Sequence, residues 1–379
     1  MQTLRTVTDL TSEELKGKRV IVRADFNVPY GDDGVVSSEE ALRIEKGLAT
    51  LTWLREAGAR VIVLSHLGDS RASLKPVAQY INQSFQIGFV PEVVGSVVEA
   101  MVDELPHGGV LLLENVRQHP GEKANDDSFA AELSTYGDIY VNDAFSASHR
   151  EHASIVGIPK HLPAYAGLQC VAEYNNLSLA RNPEQPALLV IAGAKFGTKL
   201  ALLERYLPKV DHAVVAGALA NNFFKAMGYQ VGASLVDDSA NITHLVGNEK
   251  IILPVDVTVQ ARDGVAVCDP RGGVKDGDAI ADAGPESTKQ IIALAQSAKT
   301  VIWNGPLGNY EAGFAAETTN LARALASVSA ATYVGGGDTV TVLRQEGIED
   351  GFTFVSTAGG AMLDFLVDGD LPGLEPLFE

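Results

Sequence analysis

The sequence predicts two doubly wound, Rossmann-like α/β domains, each a parallel sheet with helices on both faces. Short apolar, β-branched runs alternate with helical stretches along the whole chain, as successive βα units with right-handed crossovers require. Runs such as Val61-Ile62-Val63-Leu64 and Val110-Leu111-Leu112-Leu113 are apolar at every position, which marks strands covered on both sides. A chain of 379 residues is also too long for one ordinary core and suits two.

In the first half, strands are expected at 19–24, 60–65, 89–94, 110–113 and 138–141. Helices are expected between them at 39–56, 74–85, 96–105 and 126–136. The second half repeats the scheme, with strands at 187–192, 212–216, 250–259, 300–303, 331–334 and 352–355. Its helices are expected at 198–207, 219–227, 286–298 and 317–328. A helix at 166–180 leads into Arg181-Asn182-Pro183-Glu184-Gln185-Pro186, rich in turn and breaker residues. Domains are therefore expected at 1–165 and 187–367, with 166–186 as a hinge helix and linker; an ordinary crossover is the alternative. The tail, 368–379, is too apolar for a free terminus and is expected to pack back on a domain.

Composition narrows the function. Hydrophobic residues make up 46% and charged residues 20%, which is the balance of a folded soluble chain. No apolar stretch approaches the roughly 18–20 residues that cross a bilayer, and the first ten residues lack the apolar core of a secretory signal. Two cysteines, Cys170 and Cys268, make no disulfide framework, so a reducing cytoplasm is expected. The net charge of −19 argues against nucleic acid and against an anionic membrane surface. An anionic metabolite is still admissible, because arginines in a cleft override the global field at short range.

Polar clusters sit just past the downstream ends of the predicted strands, where parallel sheets bind ligands. The first half carries Asp25-Phe26-Asn27, Ser65-His66-Leu67-Gly68, Glu114-Asn115-Val116-Arg117 and Asn142-Asp143-Ala144-Phe145. Arg23, Arg43, Arg117 and Arg150, with His66 and Asn27 as neutral partners, are candidates to hold a phosphorylated carboxylate, since the guanidinium fork meets such groups in paired bonds. Taken singly, an arginine reads sooner as a solvated or ion-paired side chain, though Arg117 and Arg150 each closely follow a predicted buried strand and resist that reading. The second half carries Gly193-Ala194-Lys195, Trp303-Asn304-Gly305-Pro306, Gly335-Gly336-Gly337-Asp338-Thr339 and Ser356-Thr357-Ala358-Gly359-Gly360. Glycine turns running into helices suit phosphate, Lys195 and Lys199 lie four apart, and Asp338 stands where a carboxylate both caps a helix and reaches magnesium. A solvated helical face is the bland alternative for the two lysines. This asymmetry suggests phosphoryl transfer between two sites. There is no Walker A loop, no G-x-G-x-x-G after the first strand, no protein-kinase set and no His/Cys spacing for zinc.

In register along essentially the whole chain, these motifs resemble the phosphoglycerate kinase family. The matching stretches are Val22-Arg23-Ala24-Asp25-Phe26-Asn27-Val28-Pro29, Ser65-His66-Leu67-Gly68, Leu112-Leu113-Glu114-Asn115-Val116-Arg117 and Val141-Asn142-Asp143-Ala144-Phe145. They continue with His149-Arg150-Glu151-His152-Ala153-Ser154, Trp303-Asn304-Gly305-Pro306 and Gly335-Gly336-Gly337-Asp338-Thr339. The resemblance implies two domains facing a cleft, a hinge helix, and a tail returning to the first domain. It implies magnesium-dependent, reversible phosphoryl transfer between ATP and 3-phosphoglycerate, giving ADP and 1,3-bisphosphoglycerate, by a cytoplasmic monomer. Carried over, Asp25, Asn27, Arg43, His66, Arg117 and Arg150 hold the phosphoglycerate. Lys195, Lys199, Glu311, Gly336, Gly337, Asp338 and Thr339 hold the nucleotide, with Glu311 on the ribose and Asp338 on Mg2+. Arg43, Lys199, Gly359 and Gly360 neutralise the migrating phosphoryl group.

The sequence also departs from the pattern. The family follows His-Leu-Gly with Arg-Pro; here Asp69-Ser70 stands there, and losing one charge-assisted bond weakens binding by roughly ten- to a hundredfold. Arg71 is the candidate to reach in instead. Ala358 replaces a glycine and is harmless only at negative φ, while Ala192 and Ala216–Ala218 stand near the expected adenine slot, where extra bulk bears on nucleotide preference. Two rival readings stand beside this one: a catalytically weak paralogue that binds or regulates, which Asp69 motivates, and a kinase for another small carboxylate.

Overall fold

The computed structural model describes all residues except 1, 2, 32 and 38–40. It divides into two compact units, residues 1–175 with 370–379, and residues 176–369.

The first unit is built on six parallel strands: β1 (Arg19–Ala24), β2 (Arg60–Leu64), β3 (Gly88–Val90), β4 (Val110–Leu113), β5 (Ile139–Asp143) and β6 (Ala164–Ala166). Their order across the sheet is β3-β4-β2-β1-β5-β6. β1, β2, β4 and β5 are buried nearly throughout, which explains their unbroken apolar runs. The Leu42–Glu56 helix buries Ile44, Leu51 and Leu54 in a core shared with Val20, Val22, Val61 and Val63. Each such side chain contributes roughly 1.5–3 kcal/mol. The helix was expected to start at 39, which lies outside the described residues.

The last residue of β5, Asp143, is buried and accepts from Gln169 N (2.9 Å) and Cys170 N (3.1 Å), so it caps the Leu168–Ala180 helix. Burial pushes its carboxyl up to about 6. The division between the units falls inside this helix. The tail returns to the first unit through Arg5 N to Leu377 O (2.7 Å), Asn142 Nδ2 to Gly373 O (2.9 Å) and Gly373 N to Ser148 O (2.8 Å). Leu374 and Leu377 are buried there.

The second unit carries another six-stranded parallel sheet. Its members are β7 (Ala187–Ile191), β8 (His212–Val215), β9 (Ile251–Ile252), β13 (Thr300–Asn304), β14 (Ala331–Gly335) and β15 (Phe354–Val355), in the order β15-β14-β13-β7-β8-β9. A second, antiparallel sheet of β10 (Val257–Ala261), β11 (Gly264–Cys268) and β12 (Ala279–Ala283), ordered β11-β10-β12, was not anticipated. The strand expected at 250–259 is in fact two, β9 and β10, in different sheets. Pro254 between them lacks the N–H a continuous ladder needs. The Asp263-Gly264 dipeptide that turns β10 into β11 is a hairpin signal in the sequence itself.

β12 ends beside a buried acid. Asp282 accepts from Ala283 N (2.9 Å) and from Glu317 N (3.3 Å), at the start of the Ala316–Leu325 helix. Burial, with a smaller contribution from the neighbouring Glu317 charge, pushes its carboxyl from 3.8 up to about 7. The folded protein thus holds this proton more tightly than the unfolded chain does. Its stabilising contribution is full below about pH 4 and is lost as pH rises through about 7, with a ceiling of roughly 4 kcal/mol. The difference in denaturation midpoint between wild type and Asp282→Asn, followed from pH 4 to 8, should therefore change across that window and be flat above it. A constant difference would show that Asp282 does not titrate there.

Candidate active site

Each unit places its polar clusters at the carboxyl ends of its own parallel strands. In the first unit the adjacency of β4, β2, β1 and β5 brings four sequence-distant segments together. Asn115, after β4, holds the loop after β2: its Nδ2 donates to Leu67 O, Asp69 O and Ala72 O at 2.8–2.9 Å, and its Oδ1 accepts from Leu67 N at 3.1 Å. Glu114 supports this from below, accepting from Ser73 Oγ and Leu74 N at 2.7 Å. The loop is then tied to β1, because Gly68 N donates to Asn27 Oδ1 (2.9 Å), and to Arg117, whose Nη1 donates to Gly68 O.

Arginines gather on this frame. Arg43 lies 3.4 Å from Asp25 Oδ2 and donates to Asn27 O (3.1 Å). Asp25 also accepts from Ser146 Oγ (2.5 Å), after β5. Arg23 is 1% exposed and donates from Nη2 to His66 Nδ1 (3.1 Å). Arg150 is half-buried and donates from Nε to His149 Nε2 (3.1 Å). Burial, then the Arg150 and Arg23 charges, lowers Arg117 to about 10, still protonated near neutrality; its Nε is buried without a partner. Burial, then Arg23, Arg117, Arg150 and Arg43, holds His66 well below the usual imidazole range. The histidine is therefore neutral among four cations, and the cluster concentrates positive charge locally in an acidic protein.

The sequence-predicted Asp25, Asn27, Arg43, His66, Arg117 and Arg150 thus share one strand-end region. Arg71 is placed differently. Its guanidinium donates to Asp69 Oδ2 (2.9 and 3.2 Å), its backbone N donates to Asp69 Oδ1 (2.9 Å), and its side chain is 89% exposed. Three residues escaped sequence reasoning: Ser146, Glu122 and Ser154. Ser154 lies within a quoted motif, but nothing local distinguishes Ser146 or Glu122 from ordinary loop residues.

In the second unit, Lys195 precedes the Phe196–Tyr206 helix and Lys199 lies one turn in. Lys199 is 4% exposed, and its Nζ donates to Ala192 O at the end of β7. Burial, then the Lys195 charge, lowers it to about 8, while Asp338 opposes that shift. Gly336, after β14, adopts φ +107° and precedes the Gly337–Glu346 helix, whose first turn carries the exposed Asp338. The Thr339 hydroxyl there is buried and has no hydrogen-bond partner. After β15, Gly359 and Gly360 start the Gly360–Asp368 helix. First-turn N–H groups at both helices lack intrahelical acceptors, which makes them anion donors. Glu311 lies in the exposed Tyr310–Ala312 turn. Ala358 is outside the left-handed region, so its replacement of glycine costs no strain. Ala192 and Ala216 are buried at the ends of β7 and β8.

The family model for phosphoglycerate kinase matches residues 7–369. The chain is 43% identical to the phosphoglycerate kinase of Coprothermobacter proteolyticus, over 99% of this chain and 98% of that one. It is 41% identical to that of Desulforudis audaxviator, over 98% of each. Among solved structures, the phosphoglycerate kinase of Coxiella burnetii superposes with a TM-score of 0.81 at 34% identity, covering 99% of this chain and 98% of that one. That of Pyrococcus horikoshii superposes with a TM-score of 0.88 at 26% identity and the same coverage. The chain belongs to the phosphoglycerate kinase family.

Gly305 exposes how tightly the second site is built. It adopts φ +95°, and a Cβ there would meet Ala192 O and Lys199 Nζ. Gly305→Ala should destabilise the protein by about 1–3 kcal/mol from backbone strain alone, with more from the clash. Thermal unfolding with an unchanged midpoint would contradict this packing.

Proposed function

We propose that this member of the phosphoglycerate kinase family catalyses reversible phosphoryl transfer between ATP and the carboxylate of 3-phosphoglycerate, giving ADP and 1,3-bisphosphoglycerate. The observation that carries the reading is the arginine cluster around a neutral histidine at the ends of β1, β2, β4 and β5. Asp25, Asn27, Arg43, His66, Arg117 and Arg150 bind phosphoglycerate in the first unit. Lys195, Lys199, Glu311 and the Gly336–Thr339 segment bind the nucleotide in the second, with Glu311 on the ribose.

The acceptor carboxylate is ionised at neutral pH, so no general base is needed. Rate then rests on alignment and on neutralising the charge that spreads over the migrating group. Arg43 and Lys199 serve that neutralisation, assisted by the N–H groups of Gly359 and Gly360. Because the two ligand sets belong to different units, transfer requires closure, with 166–186 as the hinge.

Magnesium fits the donor set. Among the described residues no three His, Cys, Asp or Glu side chains are gathered to hold a metal. Asp338, an exposed carboxylate in the first turn of a helix beside the partnerless Thr339 hydroxyl, suits an ion held by one carboxylate and the nucleotide phosphates. Bound there, magnesium would offset phosphate charge. The reading places the enzyme in the cytoplasm as a monomer.

The decisive experiment is a coupled assay with 3-phosphoglycerate and MgATP, in which the wild type should turn over; binding without turnover would sink the proposal. In the same assay Asp69→Arg should lower KM for phosphoglycerate roughly tenfold by restoring a charge-assisted bond. Arg71→Ala should raise KM a few-fold by leaving Asp69 uncompensated, and an unchanged kcat/KM would remove Arg71 from the site.

Lys199 yields a further expectation. A bound polyphosphate favours its ammonium form, so nucleotide binding should take up protons near pH 8 and weaken as pH rises above it. Calorimetry at pH 8 in buffers of different ionisation enthalpy reads this directly. Equal uptake in wild type and Lys199→Met would rule Lys199 out as the source.

A further inference from the structure

A chain of buried polar groups runs behind the arginine cluster, and it ends on a carboxylate with no role in the proposed chemistry. Glu122 follows the turn at Pro120 and is 0% exposed. It accepts from Ser154 N (2.9 Å) and from Ser154 Oγ (2.7 Å). Ser154 Oγ in turn accepts from Arg23 Nε (2.8 Å). Arg23 uses Nη1 on Ala24 O (2.7 Å) and Nη2 on His66 Nδ1 (3.1 Å).

The proton directions in this chain are forced. A guanidinium only donates, so Ser154 Oγ must accept from Arg23 and give its single proton to Glu122. By the same rule His66 Nδ1 must accept. A neutral imidazole that accepts at Nδ1 carries its proton on Nε2. Burial and the surrounding arginines keep the ring neutral, as already described. No other tautomer is compatible with this arrangement of donors.

We propose that Glu122 is a positioning residue: acting through Ser154, it orients the Arg23 guanidinium so that His66 is held as a neutral Nε2–H donor. The proposal deepens the reading of His66 as a ligand of an anionic substrate and rests on that reading for its kinetic arm alone. The chemistry explains why a carboxylate belongs behind a cationic site. An anion needs a donor, and the opposite tautomer would turn a lone pair toward it. Glu122 also supplies the counter-charge that lets Arg23 be buried at all. Its other titratable neighbour is His152, whose Nδ1 lies 3.8 Å from Glu122 Oε1 and whose imidazole is held by burial below the usual range.

Two measurements test this. Long-range 1H–15N NMR of 15N-histidine-labelled, ligand-free protein, with His66 assigned through His66→Gln, should show it as the neutral Nε2–H tautomer at pH 7. An Nδ1–H tautomer or an imidazolium would overturn the proposal. In Glu122→Gln and in Ser154→Ala the His66 signals should shift toward a tautomer mixture. kcat/KM for 3-phosphoglycerate should fall roughly tenfold, the size of one lost charge-assisted bond, with KM for MgATP unchanged. Folded variants that keep the Nε2–H signature and wild-type kcat/KM would refute the relay. Should Glu122→Gln fail to fold, Ser154→Ala and the wild-type spectrum decide. Should the wild type lack activity with 3-phosphoglycerate, the proposed function fails while the NMR arm still judges the relay.

Discussion

Burying the Arg23 guanidinium at the end of β1 is the constraint from which the first unit's site follows. A cation out of water is costly unless every donor is satisfied and a counter-charge is near. Ser154 Oγ, Ala24 O and His66 Nδ1 accept one N–H from each of the three guanidinium nitrogens, and Glu122 supplies the charge one hydroxyl away. Once Arg23 is fixed, it becomes a permanent positive field in a low-dielectric setting. Burial first, and then that field with the neighbouring arginines, holds His66 below the usual imidazole range and depresses Arg117 and Arg150. Of the remaining arginines, Arg117 donates to a carbonyl, Gly68 O, and Arg150 to an imidazole nitrogen, His149 Nε2, so an arriving anion meets their charge directly, whereas Arg43 already faces Asp25.

In the proposed function the second unit meets its ligand with backbone as well as side chains. Polyphosphate is met by N–H groups only where the main chain approaches closely, and glycine permits that approach. The ends of β7 and β13 crowd around Lys199, whose ammonium rests on the Ala192 carbonyl. A buried cation resting on a carbonyl, its pKa lowered by burial, has a strong reason to accept a phosphate. The unpaired hydroxyl of Thr339 points to the same conclusion.

Much of this was legible beforehand because strand ends in a parallel sheet are where chemistry collects. Asp25-Phe26-Asn27 and Ser65-His66-Leu67-Gly68 stood out as polar groups directly after fully apolar runs. Glu122 did not, since a glutamate in a polar helical turn resembles a solvated surface residue until distant Ser154 and Arg23 close over it. Arg71 illustrates the converse. Its place two residues past Asp69, where the family pattern has arginine, makes it the candidate to reach the substrate, yet Asp69 itself takes the guanidinium. The antiparallel sheet around β10 is hidden in part because one apolar run spans Pro254, joining β9 to β10 in the sequence although they lie in different sheets.

By itself, then, the sequence determined the class of fold, the doubling of the parallel sheet, and which strand ends carry cations and which carry glycine, because all of these are periodic or local properties. Tertiary structure alone decided which of the cations lose their water, which tautomer His66 adopts, and which carboxylates stay charged. Those outcomes depend on desolvation and on partners more than a hundred residues apart, such as Arg23 and Ser154, and no local pattern encodes either.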